Sequence, residues 1–106
     1  MSTTTATIAP EINSWTRPGT GQTRRYINNW SELVGVEVGR YNTGNISWAT
    51  FDGERISNGE AGRILAGKVW IDEADALHFD YHTRCTVSEG IKAERIEAAL
   101  REHGII

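Results

Sequence analysis

Turn signals recur through the middle of this chain at intervals too short for a long helix. Tyr41-Asn42-Thr43-Gly44-Asn45 reads as a type I turn with glycine in the left-handed position, a common three-residue hairpin loop. Asp52-Gly53 reads as a two-residue hairpin turn. The strands these turns join are Asn45 to Phe51 and Glu54 to Ile56. A further hairpin is centred on Glu73-Ala74-Asp75, between Lys68 to Asp72 and Ala76 to His82. It pairs Val69 with Phe79, Trp70 with His78 and Ile71 with Leu77, and sets Lys68 opposite Asp80. In that register Val69, Ile71, Leu77 and Phe79 share one apolar face, with Tyr81 beyond, while the other face is polar apart from Trp70. A one-residue slip would turn every apolar side chain to water, so the pattern specifies its own register.

Residues 30–41 are ambiguous. As a helix they place Trp30, Leu33, Val34, Val38 and Tyr41 on one face. As a strand they alternate Val34, Val36 and Val38 with Gly35, Glu37 and Gly39. Each interior glycine costs a helix about 0.5–1 kcal/mol, and the valines suit a pleated surface. A strand from Val34, after one helical turn over Trp30 to Leu33, satisfies both patterns. Arg24 to Asn28 makes another short strand.

Two capping boxes mark helix starts. In Ser57-Asn58-Gly59-Glu60 the serine hydroxyl caps the first turn, and the helix buries Ala61, Ile64 and Leu65 before Gly67 ends it. Thr86-Val87-Ser88-Glu89 opens a last helix that runs to about His103, with Ala93, Ile96, Ala99 and Leu100 in one stripe. Gly104 suits the position after its end. The expected fold is therefore α+β: an antiparallel sheet of about five strands, built as a meander plus a hairpin, with one short helix and a covering C-terminal helix.

The chain has 106 residues and fits one domain, residues 24–106, preceded by a flexible arm over residues 1–23. The arm is rich in Thr, Pro and Gly and shows no strand or helix period, but Ile8, Ile12 and Trp15 suit packing on its own domain or on a neighbouring subunit. The N-terminus has neither the basic start nor the apolar run of a signal peptide, and no stretch approaches the ~18 apolar residues of a membrane span. A lone cysteine, Cys85, cannot form an intramolecular disulfide and fits a reducing, cytoplasmic setting (a host cell's cytoplasm if phage encoded).

Few residues suggest chemistry. His78-x-Asp80-x-His82 would place two histidines and a carboxylate on one strand face, a metal-binding pattern, but alternation on the wet face of a half-buried strand produces the same spacing. Cys85, near a histidine, reads as a small buried residue rather than a nucleophile, since no nucleophile elbow or oxyanion loop adjoins it. No phosphate-binding glycine loop is present, and the sequence calls for no cofactor. Four tryptophans are many for this length. Trp48 alternates with Ile46 and reads as core, whereas Trp70 falls on a polar face beside His78 and needs a cover: the arm, a second subunit or a partner. Arg24, Arg25 and Tyr26, with Arg40-Tyr41-Asn42, mix bases and aromatics in the manner of single-strand nucleic-acid surfaces. The formal net charge of −3 weighs against that role.

RRYINNW, RYNTGNIS, DGERISN and KVWID, spread over residues 24–80, resemble small uncharacterised proteins of actinobacteria and their phages. That resemblance implies a compact accessory protein that binds host components or assembles with itself, and it transfers no site residue. The expected function is a non-catalytic, phage- or mobile-element-encoded binding protein working through protein–protein contacts and self-association. Its candidate contact residues are Trp15, Arg24, Arg25, Arg40, Trp70 and His78. The alternatives are a nucleic-acid-binding regulator and a metal-binding protein or enzyme using His78, Asp80 and His82.

Overall fold

The computed structural model describes residues 8–80 and 89–106. In chain order the elements are β1 (Ile12–Thr16), β2 (Thr23–Ile27), α1 (Trp30–Leu33), β3 (Val36–Arg40), β4 (Ile46–Phe51), β5 (Glu54–Ile56), α2 (Asn58–Ala66), β6 (Val69–Ile71), β7 (Leu77–Phe79) and α3 (Glu89–Glu102). The expected α+β, antiparallel architecture holds, but the strands divide into two sheets, ordered β1-β2-β6-β7 and β3-β4-β5. After α2 the chain does not return to the meander. It pairs β6 with β2, Arg25 opposite Ile71 and Tyr26 opposite Trp70, so that the apolar face of the hairpin continues into Ile27.

The hairpin register is the one its alternation predicts: Val69 with Phe79, Trp70 with His78, Ile71 with Leu77. Lys68 and Asp80 do meet, through the Lys68 N–H, which donates to the Asp80 carboxylate at 2.7 Å. Residues 30–41 divide as one helical turn and a strand, and the strand begins at Val36. Between them Gly35 has φ of +101°, which strongly disfavours a side chain, so this residue lets the chain leave α1 at Val34 and enter β3 directly.

The arm expectation is corrected at Ile12–Thr16. This segment pairs antiparallel with β2 along its whole length, from Ile12 opposite Ile27 to Thr16 opposite Thr23. Composition concealed the strand: apart from Trp15 its exposed positions are polar, and only Ile12 contributes to the core. Asn29 holds the segment before it, accepting from Glu11 N–H at 2.9 Å and donating to the Ala9 carbonyl at 2.9 Å.

A single apolar cluster forms the core, with Ile27, Val69 and Ile71 from the four-stranded sheet, Trp30 and Val34 from α1 and its end, and Ile64, Ile96 and Leu100 from α2 and α3. Burying each such aliphatic side chain contributes about 1.5–3 kcal/mol. Trp30 also donates its indole N–H to the Gly67 carbonyl at 3.3 Å, which satisfies its one polar atom inside the core. Trp48 is not core, contrary to expectation: it is 40% exposed. Its neighbour Ala49 takes the inward position, and the Trp48 indole lies against the opposing Gly39, filling space where a Cβ would sit.

The Ser57 cap forms as expected, accepting the Glu60 N–H at 3.0 Å. The Thr86 capping box lies outside the described residues. Helix α3 is fastened at both ends of its described side chains. Arg95 clamps Asp52 with two bonds, 2.6 and 2.9 Å, and donates to the Val34 carbonyl at 2.6 Å. At the C-terminus, Ile105 N–H reaches the Leu100 carbonyl at 2.8 Å and Gly104 N–H the Arg101 carbonyl at 3.1 Å, the paired bonds of a Schellman ending.

Candidate functional site

The four-stranded sheet has two chemically different faces because side chains alternate along each strand. One face carries Ile27, Val69, Ile71, Leu77 and Phe79 into the core. The other carries Asn13 and Trp15 from β1, Arg24 and Tyr26 from β2, Trp70 from β6 and His78 from β7. The register sets Asn13, Tyr26, Trp70 and His78 in one row across all four strands, with Trp15 and Arg24 in the adjoining row.

Trp70 is the centre of this row. The His78 ring stacks on it in parallel, 5.4 Å between centroids with 6° between planes. Tyr26 flanks its other side at 5.8 Å and a tilt of 49°. The Arg24 guanidinium lies 4.5 Å from the indole centroid and donates to the Tyr26 hydroxyl at 3.3 Å. The expected cover for Trp70 therefore comes from strand β2 of its own chain. These contacts lock the rotamers of four side chains and make a rigid platform.

Asp72 fixes the far end. One of its carboxylate oxygens meets His78 Nε2 at 2.7 Å, and the other accepts the N–H groups of Ala74 and Ala76 at 2.8 and 3.0 Å. The hydrogen bond to His78, then that from Ala76, hold the Asp72 carboxyl below its ordinary 3.8. The loop Glu73-Ala74-Asp75 is thus organised by the same carboxylate that orients the histidine ring.

Two depressions open on this face. One, about 520 Å³, runs past Asn13, Trp15 and Tyr26 toward Ser31, Leu65 and Lys68. The other, about 360 Å³, lies over Arg24, Trp70, Asp72, Glu73 and His78. Trp15 is 44% exposed and borders the larger one.

The structure brings together four of the six expected contact residues: Trp15, Arg24, Trp70 and His78. Arg25 points to the opposite face, where it pairs with Asp75 at 2.5 Å and donates to the Ile105 carbonyl at 3.5 Å. Arg40 belongs to the other sheet and closes the 41–45 turn by donating to the Gly44 carbonyl at 2.7 Å. Of the metal-binding pattern, His78 is engaged by Asp72 and Asp80 by the Lys68 backbone, while His82 lies outside the described residues. No group of three metal-ligating side chains occurs among the described residues. Cys85 also lies outside them. Sequence reasoning missed the contributions of Asn13 and Asp72. The alternation of Glu11, Asn13, Trp15 and Arg17 with Ile12, Ser14 and Thr16, followed by Pro18-Gly19, could have revealed strand β1.

Fold and site together define a small α+β domain with an aromatic sheet face. No protein-family model, curated protein or solved structure matches the chain. No helix among the described residues is long and apolar enough to cross a membrane.

Proposed function

We propose that this protein is a non-catalytic binding module of the cytoplasm whose aromatic sheet face docks a protein partner. The observation that carries the reading is the row Tyr26–Trp70–His78 with Arg24 stacked on it, beside the exposed Trp15. Trp, Tyr and Arg are the residue types that dominate protein–protein hot spots, because they combine large contact area with a polar handle. Here they are also pre-ordered, which lowers the entropy lost on association.

Charge favours a protein over a single-stranded nucleic acid. Arg24 is already engaged with Trp70 and Tyr26, Asp72 and Glu73 line the smaller depression, and Arg25 and Arg40 lie elsewhere. A phosphate chain over the smaller depression would meet the carboxylates of Asp72 and Glu73, and the arginine beside them, Arg24, is already held by Trp70 and Tyr26.

The test is to pan a random peptide display library against the full chain and measure selected peptides on Trp15→Ala. This substitution removes an exposed side chain that bears no core load. Peptides that bind the parent and lose about tenfold or more in affinity on Trp15→Ala support the face as the docking surface. Failure to select any peptide, together with salt-sensitive binding of a single-stranded oligonucleotide, would transfer the face to nucleic acid.

A further inference from the structure

Strand β1 is an outer strand of the four-stranded sheet, and its hydrogen-bond pattern identifies its unpaired side. Arg17 N–H donates to the Gln22 carbonyl at 2.8 Å, and Asn28 N–H to the Glu11 carbonyl at 2.8 Å. Both pairs obey the β1–β2 register, so residues 11, 13, 15 and 17 direct their backbone groups toward β2. Ile12, Ser14 and Thr16 therefore direct theirs outward, and no strand among the described residues pairs with them. The edge carries no lysine, bulge or inward charge of the kind that usually blocks edge pairing.

We infer that this edge pairs with β1 of a second copy of the chain, antiparallel about a two-fold axis through Ser14. The sequence Pro10-Glu11-Ile12-Asn13-Ser14-Trp15-Thr16-Arg17-Pro18 is complementary to its own reversal about that residue. Ser14 meets Ser14 of the second copy, and Ile12 meets Thr16. These are the outward-directed positions, so each pair can exchange both N–H···O bonds. Asn13 then lies opposite Trp15, and Glu11 opposite Arg17, on the same face as Tyr26 and Trp70. Neither Glu11 nor Arg17 has an ion-pair partner within its own chain among the described residues. The pairing supplies two such pairs by symmetry, while any register shifted by two residues misaligns both. Pro10 and Pro18 bracket the strand and stop the ladder from propagating.

A second copy fits this edge better than a foreign strand because the complementarity is internal to nine residues. The product is a continuous sheet of eight strands in which the two aromatic faces lie side by side and both Trp15 rings flank the axis. This pairing uses the sheet edge, and it stands whether or not the face binds a peptide.

The test is sedimentation equilibrium on the full chain across a dilution series. The parent is expected to approach twice the 11.8 kDa chain mass as concentration rises. Ser14→Pro removes an outward N–H that the monomer does not use and is expected to leave a monomer. Glu11→Arg and Arg17→Glu are each expected to raise the dimer dissociation constant about tenfold by opposing like charges twice, and the double exchange to restore it. If Ser14→Pro does not fold, the charge exchanges decide alone, since both side chains are exposed. A parent that stays monomeric at its highest concentration overturns the inference, as does a dimer indifferent to the single charge reversals.

Discussion

Replacing Trp70 by alanine should cost this protein stability as well as binding. The indole makes three specific contacts: Arg24 at 4.5 Å, Tyr26 at 5.8 Å and His78 at 5.4 Å. A partly exposed cation–π contact contributes about 0.5–1 kcal/mol and each aromatic pair about 0.5–1.5 kcal/mol. The three share one ring and do not add fully, so about 2 kcal/mol is expected. With a urea slope of roughly 1–3 kcal/mol per molar for a domain of this size, the midpoint should fall by about 1 M at unchanged slope. A double-mutant cycle with Arg24→Ala should return a coupling of about 0.5–1 kcal/mol, isolating the cation–π part. A loss below about 0.5 kcal/mol, the level of an ordinary surface substitution, would refute the claim that these rings form a locked platform.

Asp52→Asn should destabilise the protein at neutral pH while leaving the Asp52-Gly53 turn intact, since asparagine tolerates the Asp52 φ of 53°. The hydrogen bond from Arg95 holds the Asp52 carboxyl below its ordinary 3.8, so its contribution is complete above that value and is lost as pH falls through the lower folded one. Urea midpoints of parent and variant should therefore converge in acid; a constant gap would contradict the assignment. Gly35→Ala should lower stability by about 1–3 kcal/mol, because it forces a side chain into φ of +101° and drives a Cβ into an Asp52 carboxylate oxygen. Calorimetry should show Tm falling by roughly 4–8 °C per kcal/mol, and an unchanged Tm would show that the α1–β3 junction relaxes freely.

Local patterns determined much of this protein. The 68–80 hairpin was legible to the residue, because alternation and a three-residue loop admit one register that buries Val69, Ile71, Leu77 and Phe79. The turns at 41–45 and 52–53, the Ser57 cap and the C-terminal ending at Gly104 were legible for the same reason: each depends on contacts within a few residues. Trp70 was recognisable as an oddity, an aromatic on a polar face, but its companions were not. Tyr26 lies 44 positions before Trp70 in the chain, and only the pairing of β2 with β6 sets them opposite. Arg24 and Arg25 look like one basic patch in sequence, but alternation along β2 puts them on opposite faces. On β4 of the other sheet, Trp48 stays outside because Ala49 takes the inward position. Strand β1 escaped composition-based reading because an edge strand that contributes one apolar side chain carries little hydrophobic signal. Short-range hydrogen bonding and alternation lie within reach of sequence, whereas which strands meet is decided by how the apolar faces close over a single core, a property of the whole chain.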